Sequence, residues 1–137
     1  MTGSADPTLD LIDLQEQRFA AAFEAGDITI ARSLYHPDLV YLSPTTRLYG
    51  WPRRIEGLDA ALEFIQLTVT GLGNVSYRAE ERAVVPEADA AFVRVRFDFD
   101  TEGTRLRSTY VVVYRYRAGL IAVQELFYDP NDRFERL

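Results

Sequence analysis

Chemistry at neutral pH needs a group that can change its charge, and this sequence offers few. His36 is the only histidine, and the only side chain that titrates near neutrality without perturbation. It stands in Tyr35-His36-Pro37-Asp38 at the expected exit of a short helix, where a cationic ring favours the negative end of the helix dipole. That setting points to a structural role. Glu125 and Asp129 are the acids late in the last expected strand. If Gln124 points inward, alternation puts both on the outer face. A single bulge would turn Glu125 inward, where desolvation would raise its pKa toward that of a useful general base. Without the bulge, an ion pair with Arg94, Arg96 or Arg115 is expected. Asp129, just before Pro130, fits a strand-end cap. Arg47, Arg53 and Arg54 share a loop with Trp51 and have the fork geometry to grip a carboxylate or phosphate, although a solvated loop is the simpler role.

Composition narrows the classes. A chain of 137 residues with 47 % apolar and 26 % charged residues has the size and make-up of one globular domain, 1–137, with 1–6 and 131–137 as flexible ends. Its net charge of −6 repels phosphate backbones and anionic membranes, so neither nucleic acid nor membrane is an expected partner. With no cysteine and one histidine, thiolate chemistry is excluded and zinc disfavoured. No metal or other cofactor is expected. Met1 to Asp6 lacks a basic stretch followed by an apolar run, and no apolar segment approaches membrane-spanning length, so a cytoplasmic location is expected.

The elements that must position any site can be read from periodicity. Asp6-Pro7 predicts a helix start, and Leu9, Ile12, Glu16, Phe19 and Phe23 recur at helical spacing to about Ala25, a stripe apolar except for Glu16. Gly26 supplies a left-handed stop. Asp27 caps a short second helix with Ile28, Ala31 and Leu34 on one side, ended by Pro37. Leu39 to Ser43 reads as extended, and 44–56 as an irregular loop. Leu58, Leu62, Ile65 and Val69 predict a third helix closed by Gly71. From Asn74 the period changes to two, giving strands at 74–85, 90–100, 104–117 and 120–129 joined by short turns. The expected fold is α+β, three N-terminal helices packed in a curved four-stranded antiparallel sheet, a cone-shaped barrel.

Two local patterns occur in this order: Phe19-Ala-Ala-Ala-Phe-Glu-Ala-Gly-Asp27 followed by Leu34-Tyr-His-Pro-Asp38, and Gly119-Leu-Ile-Ala-Val-Gln-Glu-Leu-Phe-Tyr-Asp-Pro130. With the element order they make nearly the whole chain resemble the SnoaL-like branch of the nuclear transport factor two-like superfamily, the ketosteroid isomerase-like cone fold. That superfamily hosts isomerases, cyclases, dehydratases, epoxide hydrolases and non-catalytic association domains, so fold alone does not name an activity. Where ketosteroid isomerases carry a helix-one tyrosine and two aspartic acids, the resemblance puts Phe19, Ser43 and Val112. Where limonene epoxide hydrolases carry a charged triad it puts Val93, Val95 and Leu126, while Tyr41 and Ser43 fall at that family's tyrosine and asparagine. Scytalone-type dehydratases need two histidines. The resemblance also implies that the Trp51 loop borders the cone's mouth and that two copies pair.

With Val112 inward, alternation turns Tyr110 and Tyr114 inward too, together with Val93, Val95 and Phe97 of the neighbouring strand and Gln124, Leu126 and Tyr128 of the last. The expected pocket is aromatic and aliphatic, with phenols and an amide but no evident carboxylate, suited to a flat or branched carbon skeleton bearing a few oxygens. Phenols donate well and are poor bases near neutrality. The sequence thus predicts a site for a small apolar or aromatic molecule. Tyr41 and Glu125 are its catalytic candidates. Phe19, Ser43, Trp51, Val93, Val95, Phe97, Tyr110, Val112, Tyr114, Gln124, Leu126 and Tyr128 are its binding candidates. The activity in view is a cofactor-independent isomerase, cyclase or dehydratase of an oxygenated polycyclic or terpenoid molecule. A non-catalytic binding or association domain is the alternative. The outer sheet face, with Arg94, Arg96 and Asp98 beside Thr109, Val111 and Val113, is the expected homodimer surface.

Overall fold

The computed structural model describes residues 7–129 and 134–137. Helix α1, Leu9–Ala25, begins at Thr8, whose side chain accepts the Leu11 N–H, and ends at Gly26 in the left-handed region. The cap is therefore two residues later than the expected Asp6-Pro7 start, and Asp6 itself lies outside the described residues. The second expected helix, Ile28–Leu34, is a 3-10 turn capped by Asp27. It ends before the proline, because Tyr35–Leu42 already form strand β1. The loop resolves into a 3-10 segment, Pro44–Tyr49, and a short strand β2, Arg54–Glu56. Helix α2, Leu58–Val69, follows.

Four long strands come next: β3 Gly73–Val85, β4 Ala90–Thr101, β5 Thr104–Arg117 and β6 Leu120–Phe127. They pair as an antiparallel meander. The β4–β5 and β5–β6 connections are two-residue turns, Glu102-Gly103 and Ala118-Gly119, with both residues at positive φ, the geometry that matches the twist of the flanking strands.

The sheet is larger than four strands. Its order is β2-β1-β6-β5-β4-β3, with β1 lying parallel to β6. Part of the tail expected to be a flexible end forms β7, Glu135–Arg136, which pairs with Leu106 and Arg107 of β5; residues 1–6 and 131–133 of the expected ends are outside the described residues. The parallel β1–β6 pair joins segments some eighty residues apart, a contact that local periodicity does not carry.

Helices α1 and α2 close the concave side. Phe19, Phe64, Val93, Val95, Val112 and Tyr114 are among the fully buried side chains, and burying each such side chain stabilises the fold by roughly 1.5–3 kcal/mol. Helix α1 departs from ordinary patterning: it buries Gln15 and Glu16 while exposing Leu9, Leu11 and Leu14.

Candidate functional site

Alternation along five strands, β3, β4, β5, β6 and β1, builds one wall of a cavity of about 300 Å³. Register carries the inward side chains across the sheet: Tyr77 stands beside Phe97, Phe97 beside Ser108, Val112 beside Leu126, Tyr114 beside Gln124, and Gln124 beside Tyr41. Phe19 and Phe23 of α1 and Ile65, Thr68 and Val69 of α2 supply the other wall. Of the residues expected from the sequence, Phe19, Tyr41, Phe97, Tyr110, Val112, Tyr114, Gln124, Leu126 and Tyr128 line this space.

The other five stand elsewhere. Val93 and Val95 are completely buried in the core. Ser43 is buried at the end of β1, where its hydroxyl accepts the Thr45 N–H at 3.1 Å and lies against the phenols of Tyr41 and Tyr128. Trp51 packs on Phe64 with ring centroids 5.3 Å apart. Glu125 pairs in register with Leu42 and Val113, without the bulge that would turn it inward; its carboxylate is 4.0 Å from Arg53 on the outer side. Arg94 and Arg96, two of its three expected partners, pair instead with Glu81 and Glu80.

His36 accepts the Asp38 N–H at 3.0 Å and meets Arg117, which holds it at the outside of β1. Arg54 pairs with Glu56 at 2.8 Å. Among the described residues, no arginine lines the cavity.

The polar groups are neutral donors. Burial pushes the phenols of Tyr35, Tyr41, Tyr77, Tyr110, Tyr114 and Tyr128 above their ordinary range, since a buried phenolate would lose its hydration. They stay protonated. The Tyr35 hydroxyl donates to the Gln124 carbonyl at 2.6 Å, which leaves the Gln124 amide N–H₂ as a donor. Tyr110 lines the same space. Such donors fit carbonyl or hydroxyl oxygens of an uncharged molecule.

One charged group does lie behind the wall, and the inward alternation of β3 to β6 does not reveal it. Glu16, 5 % exposed, accepts the Tyr77 hydroxyl at 2.6 Å, the Gln15 amide at 2.9 Å and the Tyr114 hydroxyl at 3.3 Å. Gln15 in turn accepts the Tyr116 hydroxyl at 2.6 Å. Burial raises the Glu16 pKa above the usual glutamate range, and the three donors only partly offset it. Among the described residues it has no cationic partner. The signal was the single acid in the apolar stripe of α1. Tyr77 was missed because alternation was not carried into β3.

Helices enclosing an aromatic cavity against a curled sheet describe a fold shared with many solved proteins. A SnoaL-like domain profile matches residues 17–124. The chain belongs to the SnoaL-like domain family. No curated protein matches it. Among solved structures, this SnoaL-like chain is similar to a putative isomerase from Bacillus subtilis, 20 % identical over 88 % of each chain with a TM-score of 0.75. It is similar also to an NTF2-like protein from Anabaena variabilis, 14 % identical over 96 % of each chain with a TM-score of 0.77. An LEH-like epoxide hydrolase from M. tuberculosis is 15 % identical, with 90 % of this chain and 86 % of that one covered and a TM-score of 0.67. At these identities the likeness to the three structures is one of fold.

Proposed function

We propose that this protein binds a small, uncharged, oxygen-bearing carbon skeleton, polycyclic or terpenoid, in the cavity between α1, α2 and the sheet, and acts on it as an isomerase, cyclase or dehydratase without a cofactor. The observation that carries this reading is the cavity itself: about 300 Å³, walled by aromatic rings and furnished with neutral donors and no cation among the described residues. Phe19, Phe23, Tyr77 and Phe97 present stacked and edge-on rings, which suit a flat hydrocarbon frame. The Gln124 amide and the Tyr110 phenol suit its oxygens. Tyr41 would hold a developing oxyanion in this reading, because its high pKa makes it a donor and not a base.

A second copy is proposed for the outer sheet face, where Phe92, Val111 and Phe127 are exposed beside the Glu80–Arg96 and Asp98–Arg107 ion pairs. Sedimentation would give twice the chain mass if this face is covered.

A thermal-shift screen against polycyclic ketones, phenols, terpenoid epoxides and aromatic acids tests the ligand class, since a molecule that binds only the native state raises its melting temperature. Neutral ketones or phenols should raise it, and aromatic carboxylates should not. A carboxylate-only response would overturn this assignment of substrate charge.

A further inference from the structure

Among the described residues the cavity wall contains no carboxylate or imidazole base, yet the isomerase, cyclase and dehydratase reactions all move a proton. A carboxylate stands directly behind that wall. Glu16 projects from α1 toward β3 and β5, where the Tyr77 hydroxyl lies 2.6 Å from one of its oxygens and the Gln15 amide and Tyr114 hydroxyl lie 2.9 and 3.3 Å from the other. Tyr77 and Tyr114 both line the cavity. A glutamate in a helix core needs a reason, because an unpaired buried charge is costly, and among the described residues its compensation is three neutral donors.

We propose that Glu16 is the proton acceptor of this site, reached from the cavity through the phenol of Tyr77. The step rests on the reading of the cavity as a substrate site. A C–H bond next to the substrate carbonyl breaks, and its electron pair moves into the carbonyl to give an enolate. The proton passes to the Tyr77 oxygen as the Tyr77 O–H proton passes to the Glu16 carboxylate. Return of that proton to a different carbon completes an isomerisation, so charge and atoms balance without a co-reactant. Tyr114 and Gln15 hold the second carboxylate oxygen and keep the first aimed at Tyr77.

Among the described residues the groups that face Glu16 are phenols and an amide: Tyr35 from β1, Tyr77 from β3, Tyr110, Tyr114 and Tyr116 from β5, and Gln15 from its own helix. Burial keeps these phenols protonated and raises the Glu16 pKa above the usual glutamate range, so the carboxyl of this cluster is Glu16.

The test uses 2-tetralone, a bicyclic ketone with acidic C–H bonds beside its carbonyl, in heavy water. Melting temperature reports binding and proton NMR reports deuterium uptake. Wild type should exchange above the buffer rate, and Glu16→Gln and Tyr77→Phe should each lower the exchange about a hundredfold or more while the ketone still raises the melting temperature. Unchanged exchange in a folded Glu16→Gln variant overturns Glu16 as acceptor and leaves the substrate site intact. A wild type that neither binds nor exchanges the ketone refutes the substrate site, and the inference with it. If Glu16→Gln fails to fold, Tyr77→Phe and the wild-type pH profile decide. Exchange that falls as pH drops through the carboxyl's titration supports the relay, and exchange flat in that range overturns it.

Discussion

Glu125 and Glu16 differ in one respect that decides their roles: which side of a backbone they leave. Glu125 sits between Gln124 and Leu126, both of which line the cavity, so period two sends it outward to Arg53. Glu125→Gln should change the melting temperature by the equivalent of at most about 0.5 kcal/mol, as for surface substitutions, and should leave ketone binding unchanged in a thermal-shift titration. A loss of binding would return Glu125 to the site. The inward phenols were legible because alternation along β5 and β6 needs only one anchor, Val112. Glu16 was visible as an interruption of the α1 stripe, but its meaning depended on Tyr77 and Tyr114, 61 and 98 residues away in sequence. A stripe says which residues face inward. It does not say what waits there.

Among the elements, the meander could be read almost to the residue, because two-residue turns leave local marks in the sequence. Ala118 is the exception within them: it adopts φ 54 at a position that prefers asparagine or glycine. Ala118→Asn should therefore stabilise the β5–β6 hairpin by about 0.5–1 kcal/mol, given the roughly 1–2 kcal/mol that a Cβ meets in left-handed backbone; a melting curve checks this, and a lower midpoint would show that the turn is not strained. The short elements were less legible. β1 was expected only over 39–43, since its pairing is with β6 and β2, and hydrogen bonds to distant strands leave no period in a five-residue stretch. The 3-10 segments at 28–34 and 44–49 look to pattern analysis like a helix and a loop, because their caps, Asp27 and Ser43, are the residues that serve either.

At the scale of the molecule, two populations of carboxylates pull stability in opposite directions with pH. Hydrogen bonds from Arg96 and Arg107 hold Glu80 and Asp98 below their usual ranges. Their contribution is present above the unfolded pKa values and is lost as pH falls through the folded ones. Glu16 is the reverse. Its folded pKa is raised, so its contribution is full below the ordinary glutamate value and is lost as pH rises through the folded one. Melting temperature against pH should therefore pass through a mildly acid maximum. Glu16→Gln should remove the decline on the alkaline side of that maximum and keep the acid limb. An unchanged alkaline decline would mean that Glu16 is ionised without cost.

The chain's one tryptophan stands just outside the cavity. Trp51 rests on Phe64, and Phe64 touches Tyr41 and Tyr49, both of which line the cavity. Eight tyrosines absorb light that a single indole can collect, so the protein carries its own optical probe. A guest that shifts Tyr41 or Tyr49 will alter the emission of Trp51 without any label, and the rate of that change gives the time a molecule takes to enter.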